Sequence, residues 1–209
     1  MLSALDRLIV EVDQGVRTLL GVHAGNRPTP GRDRPEGDLD EPARRHAAGL
    51  MRVNHCGEVC AQALYQGQAL ASKNEDLQHK LRAAAREEED HLAWTESRIR
   101  ELGGRTSLLN PLWYTGSLAM GYAAGKAGDA WSLGFLKETE RQVERHLEGH
   151  LERLGPNDAR TRTIVAQMKI DEAGHAAMAA RLGARELPFP VKRLMAAVAK
   201  VMTTLSYRI

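Results

Sequence analysis

Cysteine and aromatic side chains are scarce in this chain, with two Cys and 4% Phe, Trp and Tyr among 209 residues. Cys56 and Cys60 stand one helical turn apart, so no disulfide framework and no Cys-x-x-Cys iron module is available. They read as small buried apolar side chains in a reducing compartment, with a redox or ligand role as the competing reading. Alternating β-branched and aromatic runs are equally rare, which argues against a sheet protein and leaves an all-α chain. No apolar run reaches the length of a membrane span, and Met1 to Arg7 lead into a charged amphipathic segment without the apolar core of a signal peptide. The expected address is therefore the cytoplasmic side. A net charge of +2, without interleaved basic and aromatic residues, is too mild to imply a nucleic-acid partner, and none is expected. With 43% apolar residues the chain is long enough to bury one core.

What the chain does have is charge placed in a pattern. Of its eight histidines only His91 and His175 follow a glutamate by three positions, in Glu88-Glu89-Asp90-His91 and Glu172-Ala173-Gly174-His175. Both lie in segments of helical periodicity, where positions three apart share a face, so each aims a carboxylate and an imidazole at one spot. At a similar interval upstream of each, another helical segment offers a single carboxylate. Glu58 is the sole acid between Pro42 and Asn74, in a stretch of small and apolar residues, and burying it ionised is costly unless a cation pairs with it. Exposure of that face, near Asn54, Gln62 and Tyr65, is the plainer alternative. Glu140 stands among Leu136, Val143 and Leu147 on an apolar stripe that Glu144 partly shares, so periodicity leaves the choice between them open. Two single Glu and two Glu-x-x-His on four facing helices make the ligand set of a carboxylate-bridged di-iron or di-manganese bundle. Each motif alone also reads as a solvated helical face, with Arg86, Glu87, Glu89 and Asp90 mostly in water.

Residues 2 to 20 set Leu2, Leu5, Leu8, Ile9, Val12, Val16, Leu19 and Leu20 on one helical stripe, and residues 21 to 41, rich in Pro and Gly, read as an irregular connection. Helices are predicted over about 42 to 72 with Glu58, and from the cap Asn74 to Gly103-Gly104 with the first motif. Two more are predicted over 129 to 154 with Glu140, His146 and His150, and over 159 to 182 with the second motif, the last begun by Gly155-Pro156-Asn157-Asp158. Residues 106 to 128, apolar and dotted with glycine, read either as a connector over the bundle end or as a substrate-facing or membrane-facing surface. A last helix aligns Val191, Leu194, Met195, Val198, Val201, Met202 and Leu205, with Lys192, Arg193 and Lys200 on its other side. Such a helix lies on an anionic bilayer or closes the core, and the sequence supports both equally.

Arg52-Val53-Asn54-His55-Cys56-Gly57-Glu58, Glu87-Glu88-Glu89-Asp90-His91-Leu92 and Asp171-Glu172-Ala173-Gly174-His175, with Glu140 at its place and an apolar helix after them, resemble the motifs of the demethoxyubiquinone hydroxylase family. The resemblance covers 46–209 and implies a ferritin-like four-helix bundle with a di-iron carboxylate core and flanking amphipathic helices. Residues 1–45, an N-terminal amphipathic helix and irregular linker, resemble the longer N-terminal segment of bacterial members. The resemblance implies two Fe ions per chain, manganese being the less expected metal, with Glu58 and His91 on one, Glu140 and His175 on the other, and Glu88 and Glu172 bridging. His146 matches a family histidine near the site, and Leu147 follows it where animal members carry tyrosine.

The reaction implied is the O2-dependent hydroxylation of a polyprenylated methoxy-methyl-benzoquinol in ubiquinone biosynthesis, one oxygen atom entering the ring and the other leaving as water. An electron donor, contacts with other ubiquinone-biosynthesis proteins and a peripheral place on the cytoplasmic face of the cell membrane belong to the same expectation. Hard carboxylates with only two imidazoles suit such iron chemistry and leave positions open for O2. A ferritin-like iron store or peroxide scavenger would use the same ligands, and a membrane-bound scaffold of a lipid-biosynthetic complex would need only the amphipathic ends.

Overall fold

A computed structural model describes residues 3–23, 25–35 and 37–209; Leu2 of the expected N-terminal stripe lies outside them. Among the described residues there are seven α-helices and no strand: α1 (Ala4–Leu20), α2 (Glu41–Ala71), α3 (Glu75–Glu101), α4 (Asn110–Lys126), α5 (Asp129–Arg153), α6 (Ala159–Arg181) and α7 (Phe189–Ser206). The helix ends follow local chemistry. Ser3 and Asp6 form a capping box on α1, and Gly21, at φ 72°, ends it in the left-handed region. The side chains of Asp40, Asn74 and Asp158 each accept a first-turn N–H, of α2, α3 and α6 respectively.

In α2, α3, α5 and α6 the candidate site residues lie between two apolar clusters. One cluster gathers Leu50 and Met51 of α2, Trp94 and Ile99 of α3, Leu147 of α5 and Ile164 and Met168 of α6. The other gathers Leu64 and Tyr65, Leu77 and Leu81, Leu133 and Leu136, and Ala179 of the same four helices. Read along the chain, α2 and α6 pass from the first cluster to the second, and α3 and α5 from the second to the first. Hence α2 is antiparallel to α3 and α5 to α6, whereas α3 and α5 point the same way. Parallel helices cannot be joined by a tight turn, so the chain must travel back along the bundle between them. The 17 residues of α4 make that return, covering about 25 Å at roughly 1.5 Å per residue. The result is the four-helix bundle with one long crossover found in ferritin-like proteins.

Residues 106 to 128 are therefore not a connector over the bundle end; most of them form a helix lying along α2. Their glycines serve packing. A Cβ on Gly121 would press into the backbone of Leu64, and one on Gly67 into the backbone of Leu118 and Tyr122, so only glycine lets α2 and α4 approach this closely.

Apart from Ser206, no residue of α7 is buried, and Leu194 and Val201 are 65% and 55% exposed, so this helix does not close the core. Lys192, off the apolar stripe, pairs with the exposed carboxylate of Glu186. Leu5, Leu8, Ile9 and Leu20 of α1, Leu108 just before α4 and Leu112 in its first turn are exposed as well. Among the described residues no helix is long and apolar enough to cross a membrane.

Candidate metal centre

Where the two apolar clusters meet, α2 brings Glu58, α3 brings Glu88 and His91, α5 brings Glu140 and α6 brings Glu172 and His175, all at most 5% exposed. They form two overlapping groups, Glu58, Glu88, His91 and Glu172, and Glu88, Glu140, Glu172 and His175, within each of which one donor atom per residue lies within 4.8 Å of the others. His91 Nδ1 is 2.8 Å from Glu88 Oε2 and 3.3 Å from Glu172 Oε1, with Glu58 Oε2 at 3.7 Å. His175 Nδ1 is 2.9 Å from Glu88 Oε1 and 3.4 Å from Glu172 Oε2. Glu88 and Glu172 thus each turn one oxygen to either half of the site. Of the two acids that periodicity left open on α5, the structure brings Glu140 here and leaves Glu144 partly exposed and outside both groups. His146 is also outside them; its ring packs against His150, with centroids 3.9 Å apart.

The outward nitrogens of the two imidazoles are held as well. His91 Nε2 lies 2.9 Å from Asp171 Oδ2, and His175 Nε2 lies 3.0 Å from Glu87 Oε2. The acid just before each motif's glutamate therefore serves the other motif's histidine. In the neutral imidazole that binds a metal, Nε2–H donated outward leaves the Nδ1 lone pair for the interior. Arg27, from the segment before α2, donates to Asp171 at 2.9 Å and to Asp90 at 2.6 Å. The Tyr65 hydroxyl donates to Glu140 Oε1 at 2.8 Å. Sequence reasoning gave none of these residues a partner role, although an acid directly before Glu88 and Glu172 in both motifs was the available signal. Asp90, expected in water, is buried against Arg27.

Asp171 and Glu87 differ in surroundings, since their side chains are 14% and 59% exposed. Losing the partner of a metal-binding histidine typically costs about 10–100-fold in metal affinity or activity. Asp171→Asn is expected to fall in that range, whereas Glu87→Gln, at a wetter contact, should cost at most a few-fold. Side-by-side iron affinities check this, and equal losses would contradict it.

Burial pushes the carboxyls of Glu58 and Glu140 well above the usual range, and the charges of Glu172 and Glu88 push the same way. Burial opposes a charged imidazole at His91 and His175, but Glu88 outweighs it, joined by Asp171 at the first and Glu172 at the second. His91 is raised well above its ordinary value and His175 is pushed up to about 12. Burial likewise works against an ionised Glu88, yet the two imidazoles hold its carboxyl below the usual range. Protons thus sit where a metal-free site needs positive charge. Both oxygens of Glu88, Oε1 of Glu172 and Nδ1 of His91 are buried without a hydrogen-bond partner, although they lie within contact distance of one another. Buried carboxylates and imidazoles that converge this closely, with these four atoms left out of well-directed hydrogen bonds, suit a cation between them, so these residues fit a metal.

Residues 45–206 match the family model described as ubiquinone biosynthesis protein COQ7. The chain is similar to the 3-demethoxyubiquinol 3-hydroxylase of Chromobacterium violaceum, at 62% identity over 98% of this chain and 100% of that protein. It is also similar to the enzymes of the same name from Dechloromonas aromatica, at 59% over 97% of this chain and 98% of that protein, and from Azoarcus sp., at 57% over 98% and 99%.

Proposed function

The chain belongs to the COQ7 family of ubiquinone biosynthesis proteins, and from that premise we propose that it is a 3-demethoxyubiquinol 3-hydroxylase, an O2-dependent monooxygenase holding two irons. The observation that carries the reading is the shared pair Glu88 and Glu172, each offering one oxygen to either imidazole. Glu58 and His91 would complete one iron, Glu140 and His175 the other, with Glu88 and Glu172 between them. Four carboxylates with two neutral imidazoles carry the charge that two divalent ions neutralise, which makes a buried set of this kind sustainable.

When bound, the irons would supply open coordination positions for O2 and relay two electrons from an external donor, so that one oxygen atom enters the quinol ring and the other leaves as water. The chain's own residues do the rest. Asp171 and Glu87 fix the histidine orientation, and the flanking apolar clusters keep water from the site. Burial, reinforced by Glu140, raises the Tyr65 hydroxyl well above its ordinary value, so it stays protonated and keeps donating to Glu140. Iron-loaded protein supplied with reductant, O2 and a short-chain demethoxyquinol should yield a product one oxygen atom heavier. Iron uptake and O2 consumption with unchanged quinol would instead indicate an iron store or peroxide scavenger.

The substrate reading also implies a peripheral membrane enzyme on the cytoplasmic face. A polyprenyl tail gains roughly 0.8 kcal/mol per CH2 buried in lipid, so it does not leave the bilayer for water. The exposed stripe of α7, with Phe189, Leu194, Val198 and Val201, beside Arg193 and Lys200, supports docking of this face on an anionic bilayer. Leu194→Glu with Val201→Glu should release the protein from anionic liposomes and reduce turnover of long-chain quinol, while short-chain quinol is still hydroxylated. Unchanged liposome binding would contradict the anchoring role of α7.

A further inference from the structure

Away from the six residues above, a second set of metal-ligating side chains converges: His23 in the segment after α1, His55 of α2 and Glu96 of α3 have donor atoms within 4.8 Å of one another. His55 is 3% exposed and neither of its ring nitrogens has a hydrogen-bond partner, while His23 Nε2 is buried in the same condition. Buried polar atoms left without partners are uncommon and costly. The approach of His23 Nε2 to Glu96 Oε2, at 3.6 Å, is too long for a hydrogen bond. The carboxylate is positioned from two sides. Arg100 donates to Glu96 Oε1, leaving Oε2 toward His23, and a Cβ on Gly21 would strike the Glu96 carboxylate, so the left-handed glycine that ends α1 makes room for it.

We propose that His23, His55 and Glu96 form a binding site for a divalent first-row transition-metal ion, with zinc the best-matched occupant. Two imidazoles and one carboxylate are a recurrent zinc donor set, leaving a fourth position for water. Donors about 2.0–2.1 Å from a tetrahedral ion stand roughly 3.3 Å apart, so no pair of the three needs to close by more than about 1.5 Å. Both imidazoles are poised as neutral ligands. Burial, with the nearby Arg100 charge, lowers His23 to about 4, and burial, His23 and Arg100 lower His55 to about 3. Bound there, the ion ties the exit of α1 to α2 and α3, the helices that carry Glu58 and His91. None of the three belongs to the six-residue centre, so the proposal stands apart from the hydroxylase reading.

The test is a Zn(II) titration of the full-length iron-loaded protein, with iron and zinc content and the zinc K-edge spectrum measured together. The expected result is one zinc per chain taken up without loss of iron, with imidazole nitrogen in its coordination shell. His23→Gln and, separately, Glu96→Gln should weaken zinc binding by at least about a hundredfold, beyond what losing an outer partner of a ligand costs, and leave iron content and helix content unchanged. Zinc that enters only as iron leaves, or uptake that both substitutions leave intact, overturns the proposal.

Discussion

Glu58→Gln is expected to bring bound iron below two per chain and to cut hydroxylation by more than about a hundredfold, the upper end of the loss seen when only an outer partner of a ligand is removed. Glutamine keeps the shape and the helix, so far-UV circular dichroism should match the unsubstituted protein. The change removes a carboxylate that is 2% exposed and turned toward His91 Nδ1. Metal-free stability should move the other way. Burial first, then the charges of Glu172 and Glu88, raises the Glu58 carboxyl well above its unfolded value, so the folded protein holds a proton there that the unfolded chain releases. That contribution is full below the unfolded value and is lost as pH rises through the folded one. The metal-free protein should therefore lose stability as pH rises, and Glu58→Gln should lessen that loss and raise the urea midpoint at pH 8. Iron binding should release protons. A fully active Glu58→Gln protein with two irons would remove Glu58 from the metal centre.

The second large effect separates two neighbours on α5. Glu140→Ala should lose more than about a hundredfold in hydroxylation together with bound iron, whereas Glu144→Ala should retain activity within about twofold. Glu140 is 1% exposed, belongs to the group containing His175 and accepts the Tyr65 hydroxyl; its removal takes away a donor oxygen and leaves a buried hydroxyl without its partner. Glu144, one turn on, is partly exposed and belongs to neither group. Activity and iron content measured on both variants check this. The reverse outcome would place the ligand one turn further along α5.

Much of this arrangement is legible in the chain because it is local. The three-residue spacing within Glu88 to His91 and Glu172 to His175 fixes a shared face whatever the tertiary structure, and an isolated acid such as Glu58 stands out against its apolar neighbours. Contacts that depend on the register between helices were not legible. Glu87 and Asp171 look like ordinary surface acids until α3 and α6 are set side by side, when each meets the other's histidine. Asp90 looks equally solvated until Arg27, from a Pro-rich and Gly-rich segment, folds over it. The apolar, glycine-dotted residues 106 to 128 left a connector and a ligand-facing or membrane-facing surface open, because glycine serves turns and close helix packing alike. Only the parallel run of α3 and α5 shows why a crossover helix is required. On α7 the apolar stripe itself was clear, but a buried stripe and an exposed one share one periodicity, and only the position of the helix outside the bundle shows that this one is not core.

A single turnover of the iron-loaded protein on short-chain demethoxyquinol under ¹⁸O2, with the product mass read directly, tests the assignment of this buried carboxylate and histidine centre to O2-dependent ring hydroxylation. A quinol product carrying one ¹⁸O atom in its new hydroxyl is the result predicted here; oxidised iron with unhydroxylated quinol, or a hydroxyl whose oxygen derives from water, would contradict it.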